Sequence, residues 1–503
     1  MNANGLWMLL VLGVLIVSTG LPVWALLIGV GTGFSVLGLA TGAFDVSLLS
    51  AQPSRLLGLL ENDLLQALPL FVFIGVLLQR LSVADAIFNT LARLLRITGA
   101  GVPLAALGTG ALLAPMNGSV ASSSTLLSRV IAPRLAGFAP AKSIALVAAA
   151  STIGVVVPPS LVLLLLGDAM QRAHLEAGNL PVSSLWSTLS GQRIVNTQDI
   201  LNAALLPATA VMLLWALWVL LAYRSPSDQR PKAAAPQVLK PGNTAPDTPG
   251  ARVMATQACI AVAALIVILG LLAAVFMGTI FAVEAAASGG CLLIAAALGG
   301  RALTLDGWRQ VVRGTLELTG ALVALLVGAT MFSLVFRGFG TDHWLAGALM
   351  GNGWSPVLTA LVILLGIALC ACVLDAFEMI FVIIPIVAPL LVASLGDAQQ
   401  AAVLLLLLLQ LSFLLPPVGY AVIIVRSHMA RQGGVAPLSE IFKNVAPLAL
   451  IVLVIAATVF VAPTFVHQLD KPNQQLNTNP ASEAEIRQQI DELTRQVPED
   501  SKP

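Results

Sequence analysis

Eleven apolar stretches fill most of this chain, at 6–40, 64–80, 101–135, 141–168, 201–222, 254–277, 279–299, 318–336, 356–395, 399–425 and 446–466. A helix needs about 20 apolar residues to cross the hydrocarbon of a bilayer, and most of these stretches are that long or longer. Composition agrees: 58% of the 503 residues are hydrophobic, 10% are charged, and the mean hydropathy is +0.94. A soluble domain carries about 25% charged residues, and a surface this apolar would aggregate in water. Lipid is therefore the solvent for most of the chain, which reads as an all-α integral membrane protein.

Other classes find little support. The net charge is +1, and no basic block is present, so no nucleic acid is expected as a partner. No HExxH, CxxC, P-loop or GxSxG motif occurs, so neither catalytic residues nor a metal site is expected. Cys259, Cys291, Cys370 and Cys372 lie in apolar stretches and read as small packing residues rather than ligands. Nothing positive precedes the apolar run from Leu6, which reads as a retained span rather than a cleaved signal.

The polar stretches mark out domains. Residues 1–98 form N-terminal helices and an arm, and 99–168 the first of two repeat units. A polar loop at 169–200 is expected on the periplasmic side, then a scaffold helix at 201–222 and a flexible cytoplasmic linker at 223–253. Further helices and an arm follow at 254–355, a second repeat unit at 356–427, a last helix at 428–467 and a polar tail at 468–503. The tail holds a short amphipathic helix at 482–496. Amphipathic stretches at 83–98 and 301–317 suit interfacial arms, and equally plain loop helices.

Orientation follows the positive-inside rule. With the linker in the cytoplasm, most of the 25 basic residues fall there too, Arg80, Arg93, Arg129, Arg134 and Lys142 among them. Both termini then lie in the periplasm of a bacterial inner membrane.

Two segments share a pattern that composition alone does not give. Pro115-Met116-Asn117-Gly118-Ser119 leads to Ser122-Ser123-Ser124, and Pro158-Pro159 lies downstream. Leu374-Asp375 is followed by Ser412 and then Pro416-Pro417-Val418-Gly419. Asn117 to Pro158 is 41 residues, and Asp375 to Pro416 is also 41. Each unit reads as a hairpin with a polar tip, then a span broken by Pro-Pro. The topology brings the first hairpin in from the cytoplasm and the second from the periplasm, an inverted repeat with two re-entrant hairpins and two discontinuous helices.

Irregular backbone at membrane depth is tolerated only where it is buried in protein or lines a cavity. Pro158 and Pro416 each remove a backbone donor and free carbonyls at the break. Such carbonyls can coordinate a dehydrated cation, and helix N-termini can face an anionic substrate. Asn117, Ser119, Ser122, Ser123, Thr152 and Ser412 add neutral oxygens, and Asp375 is an intramembrane acid. The alternatives are small-residue helix packing for the serines, a simple kink for either Pro-Pro, and pairing with an arginine for Asp375 and Glu378.

With those residues in view, the chain resembles the large membrane subunit of tripartite ATP-independent periplasmic (TRAP) transporters, in the wider ion-transporter superfamily. The matching stretches include Ala67-Leu68-Pro69-Leu70-Phe71, Gly118-Ser119-Val120-Ala121, Gly154-Val155-Val156-Val157-Pro158-Pro159, Gly328-Ala329-Thr330-Met331 and Leu415-Pro416-Pro417-Val418-Gly419. The resemblance implies an elevator-type, sodium-driven carrier of small organic acids (carboxylates or sulfonates), with no cofactor beyond coupling sodium ions. It implies two partners, a periplasmic substrate-binding protein and a small four-helix membrane subunit, the latter not expected within this chain. By similarity, sodium sits at Asn117, Gly118, Ser119 and Ser122 with the break near Gly154. A second ion sits at Leu374 and Asp375 with the break near Ser412 and Pro416. Ser123, Thr152, Pro158, Pro159 and Gly419 are the candidates for substrate. The chain departs from the family at Phe281-Ala282-Val283-Glu284, usually Thr-Pro-Thr-Glu, and at Ser412-Phe413-Leu414-Leu415, usually Gly-Leu-Leu-Thr. A stand-alone ion-coupled carrier or proton antiporter of the same superfamily is the main alternative, and an integral membrane enzyme or an ABC-type permease a more distant one.

Overall fold

The computed structural model describes residues 4–61, 63–115, 119–158, 160–178, 195–223, 251–351, 353–416, 419–431 and 434–469, and the regular elements among them are helices. The chain opens with α1 (Asn4–Thr19), α2 (Val23–Ala40), the short α3 (Val46–Ser50) and α4 (Gln52–Leu60), α5 (Asp63–Arg80) and the amphipathic α6 (Val83–Leu94). A hairpin follows, α7 (Gly101–Leu113) and α8 (Val120–Ile131). Then come α9 (Pro140–Val156) and α10 (Leu161–Ala177), bent by 41° across the break between them, and α11 (Thr197–Ala222). The second half begins with α12 (Ala251–Phe276), α13 (Ala282–Gly299), the 34-residue α14 (Leu305–Gly338) and α15 (Thr341–Met350). Its hairpin is α16 (Pro356–Ala371), then α17 (Ala376–Glu378), a π-helical turn over Met379–Ile383 and α18 (Ile384–Leu395). The chain ends with α19 (Ala398–Leu414), α20 (Tyr420–Ala430), α21 (Leu438–Val461) and α22 (Thr464–His467).

The repeat read from the polar tips extends to the helices themselves. α9 spans 140–156 and α19 spans 398–414, an offset of 258 residues at both ends. The same offset separates Asn117 from Asp375 and Pro158 from Pro416. It also relates the start of α6 to the start of α15, and the ends of α7 and α16.

Length and polarity explain what each helix does. Among the described residues five helices are long and apolar enough to cross a membrane, or up to seven when each bent pair counts as one span. The hairpin arms differ. α7 has 13 residues and α8 has 12, so at 1.5 Å per residue each is about 20 Å long, short of the roughly 30 Å hydrocarbon layer. Where arms this short lie within lipid, the backbone at their ends must find partners in surrounding protein.

The surroundings provide them. α9 and α19 are buried on almost every side and pack on each other. α7 packs on α9, while α8 packs on α20 and α18 on α10, so each hairpin's second arm leans on the other half's broken helix. α2, α5, α13 and α14 make a separate frame. Gly328 brings α14 against α2 so closely that a Cβ would sit 3.0 Å from the Trp24 carbonyl. Outer faces are apolar, as Leu361, Leu365 and Leu369 show, four residues apart along α16 and exposed.

Several boundaries differ from the sequence reading. The loop expected at 169–200 is largely helical at both ends. α10 runs on to Ala177 because Met170, Ala173 and Ala177 continue its buried face, and α11 starts at Asn196 in a reciprocal cap with Asp199. The arm at 301–317 and the span at 318–336 are one helix, since no Pro or paired Gly separates Glu317 from Leu318. The stretch at 6–40, by contrast, is two helices parted at Gly20 and Pro22, the break its sequence implies, and Gly20 has φ +63°. Helices α3 and α4 were not foreseen. Of the 223–253 linker, 224–250 lie outside the described residues, as does the tail helix at 482–496; the linker's last residues already belong to α12.

Candidate functional site: two hairpin tips against two helix breaks

The first tip is held by its own break. Asn117, Gly118 and Pro159 lie outside the described residues, but the groups around them are placed. Ser119 caps α8, its Oγ accepting from the Ala121 N–H at 3.2 Å, which satisfies a donor left open at a helix start. Ser123 donates to the Ala114 carbonyl at 3.5 Å, and Ser124 donates to Ser151 of α9 at 2.9 Å. Across the break, Ser160 caps α10 by accepting from Leu163 N–H at 3.0 Å and donates back to the Val155 carbonyl at 3.3 Å.

Gly154 sets the spacing. A Cβ there would lie 2.4 Å from the carbonyl carbon of Ala114 and 2.6 Å from its oxygen, so only glycine lets the end of α9 touch the end of α7. Between tip and break remains a void of about 10 Å³, bounded by Ala114, Ser119, Ser123, Ser151 and Gly154. That is room for about one water-sized particle. Not every candidate faces it. Thr152 is fully buried with its hydroxyl on the Ala149 carbonyl, and Ser122 accepts from Gln79 Nε2 at 3.1 Å. Pro158 is buried at the break itself.

The second tip is more acidic. Asp375 starts α17, and its N–H donates to Glu378 Oε2 at 3.0 Å. Asp375 Oδ1 is buried and has no hydrogen-bond partner among the described residues. A buried unpaired carboxylate oxygen is costly, so a site of this kind calls for a counter-charge or a proton. Arginine pairing, the alternative weighed for Asp375 and Glu378, is absent among the described ion pairs. Leu374 is buried, and the turn after α17 is π-helical, a distortion frequent at functional sites. Tyr420, the first residue of α20, lies within electrostatic reach of Asp375 and Glu378. Gly419 before it adopts φ +56°, the left-handed turn that restarts the helix after the break. Ser412 is turned back onto its own helix, its hydroxyl donating to the Leu408 carbonyl at 2.9 Å, and Pro416 is exposed.

Two contacts tie the helices of these units to the outer frame, and neither was expected. Gln79 near the end of α5 holds the first hairpin: its Nε2 donates to Ser122, and its carbonyl accepts from Arg129 Nη1 at 2.5 Å. Arg337 near the end of α14 makes a two-pronged pair with Glu176 of α10, at 2.7 and 2.8 Å, and donates to the Pro385 carbonyl at 3.4 Å. Gln79 and Arg337 are 258 residues apart, the repeat offset, so the two holds occupy equivalent places. That offset was the available signal. A third contact, Thr125 Oγ1 to His428 Nε2 at 3.3 Å, joins α8 to α20. Among the described residues no group of His, Cys, Asp and Glu is arranged to hold a metal, and Cys370 and Cys372 are unpaired.

Helical hairpins set against two broken helices, among apolar helices long enough to cross a bilayer, define a multi-pass helical membrane protein. The family profile "Tripartite ATP-independent periplasmic transporter, DctM component" matches residues 8–465. The chain belongs to that family, the large permease of TRAP transporters. It is 24% identical over 452 residues to the sialic acid TRAP transporter large permease protein SiaM of Vibrio cholerae, covering 89% of this chain and 94% of that one. It is 22% identical over 410 residues to a Haemophilus influenzae protein assigned as a TRAP transporter large permease, covering 81% and 91%. Its fold is similar to the crystal structure of the Alcanivorax borkumensis YdaH transporter, described as having an unusual topology, with a TM-score of 0.53 at 15% identity over 93% of this chain and all of that one. Large permeases of this family work with a small membrane subunit and a periplasmic binding protein. The chain is thus a multi-pass membrane permease and not an enzyme.

Proposed function

We propose that this permease imports a small organic acid, a carboxylate or sulfonate, driven by a sodium gradient and delivered by its periplasmic binding protein. The observation that carries the ion assignment is the pairing of each hairpin tip with its own helix break. At the first, a void of about 10 Å³ is bounded by serine and backbone oxygens, the neutral donors a hard monovalent cation prefers. At the second, the unpartnered Asp375 oxygen supplies a negative charge that a cation would neutralise. Neutral oxygens at one tip and a carboxylate at the other suit two sodium ions, the first at Asn117, Gly118, Ser119 and Gly154, the second at Leu374, Asp375 and the break before Gly419.

An elevator motion fits the division of contacts. The hairpins and broken helices pack mainly on one another, and α2, α5, α13 and α14 form the frame, so the inner body can shift as a unit. The two hairpins then enter from opposite faces, with both termini periplasmic. Uptake is tested in proteoliposomes holding the permease and its small subunit, with the binding protein and a radiolabelled acid outside. The reading requires accumulation only with an inward sodium gradient. Equal uptake in potassium, or uptake driven by a pH gradient alone, would overturn it.

A further inference from the structure

A second cavity lies where the frame meets the moving helices, and the π-turn that follows the second tip forms part of its wall. It has a volume of about 350 Å³ and is walled by α4, α5 and α14 on one side and by α10 and the π-turn before α18 on the other. Its floor is apolar, from Leu165, Leu326, Ala329 and Phe381. Its upper wall carries three guanidinium groups, Arg55, Arg172 and Arg337, against two carboxylates, Asp168 and Glu176. Arg172 is paired with Asp168 at 2.5 Å and Arg337 with Glu176 at 2.7 Å, which leaves Arg55 with no carboxylate partner among the described residues. Ser333 of α14 faces the same space, its hydroxyl without a hydrogen-bond partner among the described residues; Thr330 lies one turn away with its hydroxyl on the Leu326 carbonyl.

We propose that this cavity is an anion-receiving site, in which Arg55 takes the carboxylate or sulfonate of the cargo and Ser333 takes a neighbouring hydroxyl or keto oxygen. The assignment rests on the organic-acid reading above and adds a place and a polarity to it. Three observations converge. The volume falls in the range of sites for small ligands, about 300–1,000 Å³. The wall bears one surplus positive charge, matched to a single anionic group, and a guanidinium presents a fork suited to a planar carboxylate. The apolar floor accepts a carbon skeleton while excluding the competing hydration of a bare inorganic ion. Position matters as well: a ligand held here touches both the fixed and the moving body, and Arg337 and Glu176, already bridging the two, sit in its wall.

Charge-selective thiol labelling tests the site without knowing the cargo. In a background with Cys259, Cys291, Cys370 and Cys372 replaced by alanine, Ser333→Cys protein in nanodiscs is reacted with anionic methanethiosulfonate ethylsulfonate and with its cationic trimethylammonium analogue. The site requires the anionic reagent to react faster, by about tenfold or more relative to their rates on a free thiol. Arg55→Gln should erase that preference, and Arg55→Lys should keep most of it. Equal rates for the two reagents, a preference indifferent to Arg55→Gln, or no reaction at all would overturn the proposal. Thr330→Cys serves as a second reporter should Ser333→Cys fail to fold. Sodium-driven uptake does not enter the readout, so a failed preference with intact uptake discards this site alone.

Discussion

Gly154→Ala is the sharpest probe of how the first tip is built. The added methyl would start 2.4 Å from the Ala114 carbonyl carbon, and ordinary van der Waals contact begins near 3.4 Å. α7 and α9 must therefore part by about 1 Å, and both colliding groups are backbone, which cannot rotate aside as a side chain would. Overpacking of this kind costs about 1–3 kcal/mol, here toward the upper end. The same displacement opens the void between Ala114, Ser119 and Gly154, so it should also weaken ion binding. At a sodium concentration one hundred times the dissociation constant, binding stabilises the protein by about 2.7 kcal/mol. A tenfold loss of affinity at the same concentration reduces that to about 1.4 kcal/mol. The assay is thermal unfolding in sodium and in potassium at equal ionic strength, for wild type, Gly154→Ala and Gly13→Ala. Gly13 has open space around it, so its alanine variant should be neutral or slightly stabilised with an unchanged sodium response. A Gly154→Ala protein with wild-type stability and a wild-type sodium response would refute the reasoning.

Two further contacts yield predictions of their own. Arg337 and Glu176 form a two-pronged pair with both side chains about one-third exposed, so a double-mutant cycle with Arg337→Gln and Glu176→Gln should give a coupling of about 0.5–1 kcal/mol, measured by chemical unfolding; Arg337→Lys should recover only part of it. Gln400 is buried, and its amide donates to the Val459 and Phe460 carbonyls at 2.9 and 3.0 Å, closing the open end of α21. Gln400→Leu should therefore lose about 1–3 kcal/mol, seen as an earlier thermal transition with sodium response intact.

How far the sequence reached depended on the kind of signal. The Pro-Pro breaks were legible because proline acts locally, through its missing N–H, and the equal spacing of 41 residues tied each break to a tip. The helices of the transport repeats followed within a few residues, except α10, which runs past the expected end at 168 to Ala177. Helices α3 and α4 were missed because Pro53 and the polar residues around Arg55 read as loop; only the 258-residue offset, which maps them onto the start of α14, would have shown them. The site was legible as a set of segments and less so as a set of side chains. Thr152 and Ser412 were offered for their hydroxyl oxygens; each hydroxyl proton goes to a carbonyl of its own helix, a local contact that spacing between segments does not reveal. Gln79 and Arg337 were missed for the opposite reason: their partners Ser122 and Glu176 lie 43 and 161 residues away in sequence, and periodicity carries no information about such pairs.

The central claim is that the paired tips and breaks bind sodium, and equilibrium binding of radioactive sodium to the purified permease tests it most directly. The account predicts saturable binding that potassium does not displace, with sites lost in Asp375→Asn and weakened in Gly154→Ala. Absence of saturable binding in folded wild-type protein, or binding unchanged by both substitutions, would contradict it.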